Sequence, residues 1–371
     1  MQAIRRSAVP SFLAILFLIL LALSAAVFAQ GGPQKGLPVN PPPANSLELA
    51  NGATHVVETP QERAEIVELV EKARQNADLH SPGSPAFTLK VSFTASGNAQ
   101  VTGAGDMEET WMQPYAFRWK VRLGDYSLTR ISTGGGVYDD PAAESVPMRV
   151  HMLRSAIFWP IEFQSAHTLI RTAKANWRGK DVTCVLASGD MNDPTPTPGR
   201  RWVESEYCVD SKTGLLQVLS EAPGIYVVYD YANALNFHGR TLPGQISIVE
   251  GNSSVLEARL ESIVEAGGSG PEELIVNKDM MAHRPGPLLG GTMRFPRVVP
   301  VAPGAQAIQP VIVHAILGER GQVMEAELLD SSAGELGEAA LQTVTTSTFP
   351  VLRPNAHRQY EAFVNVKFVS Q

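Results

Sequence analysis

The sequence predicts an α+β protein: a curved antiparallel sheet, or half-barrel, led by an N-terminal helix and followed by a small β-β-α-β domain. Three observations carry this prediction. Apolar residues fall at helical spacing after residue 60, they alternate with period two from Phe87 to Val264, and the last 60 or so residues alternate, turn helical and alternate again.

The elements follow in chain order. Arg5 and Arg6 precede an uncharged stretch from Ser11 to Ala29, which reads as a signal peptide cut after Ala29. The alternative is an uncleaved anchor that tethers the chain to the inner membrane, because a stretch of about 20 apolar residues can cross a bilayer. Residues 30–57 are rich in Gly, Pro and Asn and predict an extended leader. Thr59-Pro60-Gln61-Glu62 supplies an N-cap, an N1 proline and the acid of a capping box, and Ile66, Val67, Leu69, Val70 and Ala73 then share a helix face.

Phe87, Leu89, Val91 and Phe93 open the sheet. Phe117, Trp119, Val121 and Leu123 continue it into a hairpin at Leu123-Gly124-Asp125-Tyr126. A helical break is expected over Ala142 to Ser155, where Val146, Val150 and Leu153 share a face. Short strands then recur as far as Val264, with turns at Trp177-Arg178-Gly179-Lys180 and Asp210-Ser211-Lys212-Thr213-Gly214. The domain runs over 58–278, an irregular Pro-rich linker over 279–303, and the C-terminal domain over 304–371. In that last domain, strands at Val311–Leu317 and Gln322–Leu329 precede a helix bearing Leu336, Ala339, Ala340, Thr343 and Val344, and a strand through Phe368 closes it.

Composition bounds the function. With 371 residues and 44% hydrophobic content the chain can bury a large core. The net charge is −7, and loss of Arg5 and Arg6 would leave 28 basic against 37 acidic residues, or −9. Such a chain offers phosphate backbones little, so nucleic acid is excluded as a partner.

Chemistry is scarce in the sequence. No Gly-x-Ser-x-Gly occurs, and Gly134-Gly135-Gly136 lacks the following Lys and Ser or Thr of a phosphate loop. The eight histidines show no metal-ligand spacing, so neither a metal nor a cofactor is expected and no residue is assigned a catalytic role. Glu108-Glu109 and Asp139-Asp140 read as solvated surface carboxylates. Trp111, Phe117, Trp119, Phe158, Trp159 and Trp177 read first as core filling, with an apolar ligand wall as the second reading. Cys184 and Cys208 sit in neighbouring strands and pair as a disulfide in an oxidising compartment, which would stabilise by ~3 kcal/mol. Two buried, unpaired thiols are the alternative.

Two resemblances extend this reading. Gly321-Gln322-Val323, Leu328-Leu329-Asp330-Ser331-Ser332, Gly337-Glu338-Ala339-Ala340-Leu341-Gln342-Thr343-Val344, Phe349-Pro350 and Val364-Asn365-Val366-Lys367-Phe368 resemble the C-terminal domain of TonB-type energy transducers. The family's Tyr-Pro-x-x-Ala lead-in is replaced by Phe295-Pro296-Arg297-Val298-Val299, and residues 1–30 lack the anchor histidine that couples to a proton-driven motor. Cys208-Val209-Asp210-Ser211-Lys212-Thr213-Gly214-Leu215-Leu216 and Leu242-Pro243-Gly244-Gln245-Ile246 resemble LolA-like and LolB-like lipoprotein carriers.

The first resemblance implies a non-catalytic periplasmic protein in transport across the envelope. Its last strand, Phe363, Val364, Asn365, Val366, Lys367 and Phe368, would offer an exposed edge to an outer-membrane or periplasmic protein by strand addition. The second implies a carrier whose half-barrel holds a lipid or lipoprotein acyl chain.

Overall fold

The computed structural model describes residues 47–81, 83–113, 116–140, 145–163, 169–189, 199–266, 274–283, 289–301, 311–329, 334–351 and 359–370. The segment 11–29 lies outside them. Among the described residues no helix is long and apolar enough to cross a membrane.

In chain order the elements begin with β1 (His55–Val56), α1 (Pro60–Ala77), β2 (Phe87–Ala95), β3 (Gly103–Gln113), β4 (Ala116–Leu123), β5 (Tyr126–Thr133), β6 (Gly136–Asp140) and α2 (Met148–Phe158). There follow β7 (Leu169–Trp177), β8 (Lys180–Ser188), β9 (Ser205–Asp210), β10 (Leu216–Ser220), β11 (Ile225–Asp230), β12 (Leu235–Phe237), β13 (Arg240–Leu242), β14 (Gln245–Glu250) and β15 (Ser253–Glu265). The chain ends with β16 (Met281–His283), β17 (Leu289–Val301), β18 (Val311–Leu317), β19 (Val323–Leu328), α3 (Gly334–Thr345) and β20 (Gln359–Ser370).

Fourteen strands form one open antiparallel sheet in the order β1-β7-β8-β9-β10-β11-β14-β15-β2-β3-β4-β5-β6-β16, and β12 and β13 make a separate hairpin. Both edges of the large sheet are very short, β1 with two residues and β16 with three, which limits pairing with other chains. A separate four-stranded sheet, β17-β20-β18-β19, carries α3.

Local sequence explains the helices unequally. The Thr59 hydroxyl accepts from the Glu62 N–H at 3.2 Å and Glu62 Oε2 accepts from the Thr59 N–H at 3.3 Å, so α1 starts on its own capping box. Pro147 at the N-cap of α2 provides no side-chain acceptor, and α2 starts at Met148 rather than near Ala142. The alternation expected of the sheet is plain in β2, where Phe87, Leu89, Val91, Phe93 and Ala95 are all buried. The Phe93 ring lies across Gly105 of β3, where a Cβ would meet the ring and the Arg122 carbonyl oxygen at 2.5 Å each. Only glycine fits beneath that ring.

The two faces of the large sheet bury different things. Val185, Tyr207, Leu216 and Ile246 pack with α1 and α2 in the main core. On the opposite face Ala173, Val182, Leu186, Val218 and Tyr226 surround Cys184 and Cys208, with Ala50 against them. The two cysteines are register partners on β8 and β9 and form a disulfide.

Three expectations are corrected. Residues 47–57 do not behave as an extended leader: Ala50 is buried, its N–H donates to Glu206 Oε1 at 3.1 Å, and β1 pairs with β7. The segment 279–303 is not an irregular linker, since β16 pairs with β6 and β17 is a 13-residue strand of the second sheet. Most important, Phe363 to Phe368 is not an exposed edge. β20 pairs in parallel with β17 and antiparallel with β18, so its main-chain groups are used on both sides. Lys367 alone of the six is exposed, while Phe363, Val364 and Val366 are fully buried. The strand that would have come from a partner comes from the chain itself.

Removing the disulfide by reduction, or by Cys184→Ala with Cys208→Ala, is expected to lower unfolding free energy by ~3 kcal/mol. Urea denaturation with and without reductant measures it, and coincident midpoints would refute a stabilising bridge.

Candidate functional site

The two sheets meet at α2. Its sequence MRVHMLRSAIF carries Arg149, His151 and Arg154 among apolar residues, and all of its residues except Ser155 are buried. A helix buried all round needs partners on every face.

The second sheet supplies the cap that Pro147 lacks. The Met148 N–H donates to Glu325 Oε2 on β19 at 3.0 Å, and the Val146 N–H donates to Gln359 Oε1 on β20 at 2.9 Å. Orphan N–H groups at a helix start are thereby satisfied across more than 170 residues of sequence. His151 Nε2 lies 2.8 Å from the same Gln359 oxygen, and burial lowers the His151 pKa to about 4.

At the next residue of the first turn, Arg149 is fully buried and joins three elements. It donates to Glu250 on β14 at 3.1 Å, to the Ser96 carbonyl oxygen at 3.2 Å, and to both carboxylate oxygens of Glu327 on β19 at 2.5 and 2.7 Å. His314 on β18 extends the network, with Nδ1 3.1 Å from Glu250 and Nε2 2.9 Å from Glu361 on β20, and its ring stacks on Phe363 at 4.9 Å.

Burial opposes charge on His314, but hydrogen bonds to Glu250 and Glu361, with their charges, outweigh it and push its pKa up to about 10. Burial likewise opposes ionisation of Glu250, and His314 and Arg149 overcome it to hold that carboxyl at about 2. Burial and then the Glu250 charge push Glu327 up to about 7, against the pull of Arg149. The two carboxyls are within hydrogen-bond reach of each other and titrate as a pair.

The other end of α2 is tied to the large sheet alone. Arg154 donates to Glu109 on β3 at 2.9 to 3.1 Å and lies over the rings of Trp119 and Trp159 at 4.9 and 4.7 Å. His80 Nε2 is 2.9 Å from Glu109 on the other side. The Tyr229 hydroxyl donates to the Ala156 carbonyl oxygen at 3.0 Å.

Two cavities border this end. The larger, about 50 Å³, lies between α2 and the strands β10, β11 and β14 on one side and β17 and β20 on the other. Met152, Leu219, Ile248 and Phe363 form its apolar wall, with Glu162, Glu221 and Glu361 around them. The smaller, about 20 Å³, lies beneath α2 against Leu216, Tyr229, Leu242 and Leu260, and Ala156 lines both.

These placements settle several sequence readings. Glu109 and Asp139 are not solvated: both are fully buried, Glu109 against Arg154 and Asp139 against Arg130 at 2.5 Å. Trp111, Trp119 and Phe158 fill the core, while Trp159 is 41% exposed beside the larger cavity. Spacing along the chain missed His314, because folding, not sequence proximity, brings it to Glu250 and Glu327. Those three could in principle ligate a cation, but Arg149 already holds both carboxylates. The grouping of Cys184, Cys208 and Glu206 offers no thiolate, since both sulfurs are in the disulfide. The signal that could have revealed α2 was two arginines and a histidine inside an otherwise apolar 11-residue helix.

No family model matches the chain, and no curated protein matches it in sequence. Among solved structures it is similar to a LolA-superfamily protein from Nitrosomonas europaea, at 11% identity and TM-score 0.34, over 53% of this chain and 91% of that one. It is also similar to a domain from Vibrio parahaemolyticus assigned to outer membrane lipoprotein sorting, at 12% identity and TM-score 0.35, over 55% and 95%. A third is MucB, at 12% identity and TM-score 0.26, over 59% and 65%.

Arg149→Met is expected to cost about 3–5 kcal/mol, because it leaves Glu250 and Glu327 buried without their guanidinium. The folded pKa of His314, about 10, exceeds its ordinary 6.5, so its contribution is complete below about 6.5 and fades as pH climbs through about 10. Chemical denaturation across that range should show falling stability in the wild type and a flatter profile in His314→Gln. Parallel profiles would remove His314 as the source.

Proposed function

We propose that this is a non-catalytic cell-envelope protein that holds a lipid or lipoprotein acyl chain against the apolar face of its large sheet, with α2 as the cover and the C-terminal sheet as the clamp on that cover. The observation that carries the reading is α2 itself: a helix buried on every side, fixed at its start to both sheets and flanked at its end by two cavities with apolar walls.

The cavities have the volume of a few waters at most, far below the ~300 Å³ at which small-molecule pockets begin. On this proposal the structure is the closed form, and loading would separate α2 from one of its neighbours. Exported location follows from the uncharged segment 11–29 and agrees with the disulfide, which persists in oxidising compartments.

Transport by a TonB-like docking strand is not carried forward. β20 is paired on both sides, and both edges of its sheet are blunted. On β17, Pro296 and Pro300 stand four apart and so withhold their N–H groups on the same side. On β19, the Met324 carbonyl oxygen accepts from Gln100 Nε2 at 3.1 Å.

Native mass spectrometry of protein purified from the envelope is expected to show a bound lipid mass. Ser155→Trp, which fills the larger cavity from a half-buried position, should reduce that mass while the melting temperature holds. Protein free of lipid in every preparation would sink the proposal.

A further inference from the structure

The larger cavity is lopsided in charge. Three carboxyl groups line it, and only two cations answer them. His314 is spent on Glu361. Arg294 is spent on Glu221, with Nη2 3.3 Å from its carboxylate, and on the Ser205 hydroxyl at 2.7 Å. Glu162 is left over: among the described residues no cation stands within ion-pair distance of it, and its carboxylate accepts only from the Thr292 N–H.

The imbalance extends around the site. Arg149, His314 and Arg294 face Glu250, Glu327, Glu361, Glu221 and Glu162. The position of Glu162 sharpens the point. It is exposed at the mouth of the cavity, opposite the apolar wall and beside the half-exposed Trp159. A neutral or anionic ligand would leave that carboxyl without an ion-pair partner or add a fourth negative charge beside it. A cation with an apolar body satisfies both surfaces at once, and an indole beside the mouth is a further attraction for such a group.

We infer that the larger cavity is a binding site for an amphiphile with an amine head group, its ammonium on Glu162 between Glu221 and Glu361 and its alkyl chain along Met152, Leu219, Ile248 and Phe363. The inference rests on the reading of α2 as a cover only for the path of the chain, which continues past Ala156 toward the smaller cavity. The charge preference stands apart from it. Although Glu162 as a whole is exposed, its carboxyl end lies against the cavity lining and the Thr292 N–H; loss of water there, then the charges of Glu221 and Glu361, raise it to about 7, so ammonium binding should strengthen as that proton leaves.

The test is calorimetric titration of the full chain with octylamine, octanol and octanoate, which share a chain length and differ in head-group charge. Octylamine is expected to bind about tenfold tighter than either rival at about pH 8, an advantage that shrinks about tenfold toward pH 6 as a carboxyl near 7 takes up its proton. Glu162→Gln, isosteric and at an exposed position, should bring octylamine to the level of octanol and abolish the pH dependence.

Equal binding of all three compounds, a preference for octanoate, no binding by any of them, or an amine preference that survives Glu162→Gln each overturns the inference. The two proposals separate cleanly. Lipid found on the purified protein without an amine preference removes this site and keeps the carrier. An amine preference in protein that never carries envelope lipid does the reverse.

Discussion

A guanidinium with no access to water has to be satisfied where it stands, and Arg149 in being satisfied joins three separate parts of the fold. Glu250 belongs to the large sheet, Glu327 to the C-terminal sheet, and Arg149 to the helix between them. Desolvating such a group costs several kcal/mol, recovered only when geometry is good and every neighbouring lone pair is used. Bidentate contact with Glu327 and His314 bridging Glu250 to Glu361 meet that condition. The mutual placement of helix and sheets is thus set by a polar constraint that apolar packing alone would leave free to slide.

The rest of the interface follows. With Arg149 held, the start of α2 falls where Glu325 and Gln359 can take its free N–H groups, so a helix without a local cap is capped by another sheet. Gln100 then reaches both Glu325 and the main chain of Met324, closing the outer edge of β19. The same contacts that orient the second sheet also remove it as a docking edge.

What was legible in the sequence was what is local. The capping box at Thr59 and Glu62, the alternation through Phe87 to Phe93, and the facing of Cys184 and Cys208 each depend on neighbours along the chain or on one adjacent strand. What was not legible depends on distant partners. Glu109 reads as a surface acid until Arg154, 45 positions away, neutralises it. His314 reads as isolated until Glu250 arrives from 64 positions away. β17 reads as linker because Pro296 and Pro300 argue against a central strand, and they do so correctly: it is an edge. Missing that edge is what made β20 look exposed.

The distribution of ties along α2 also says where the closed form would yield. Its first turn is bonded to both sheets, through Met148 and Arg149. Beyond Arg154 the polar ties run to the large sheet only, from Glu109 and from Tyr229. The larger cavity lies in that stretch, on the side facing β17 and β20, where apolar contact is joined by the Thr292 N–H donating to Glu162 and by Arg294 of β17 donating to Ser205 and Glu221. On the proposed reading an entering chain would part α2 from the C-terminal sheet there, where fewer polar ties reach the helix itself than at its start. Such a parting would leave the Arg149 network in place, so the interface that positions the helix would be kept.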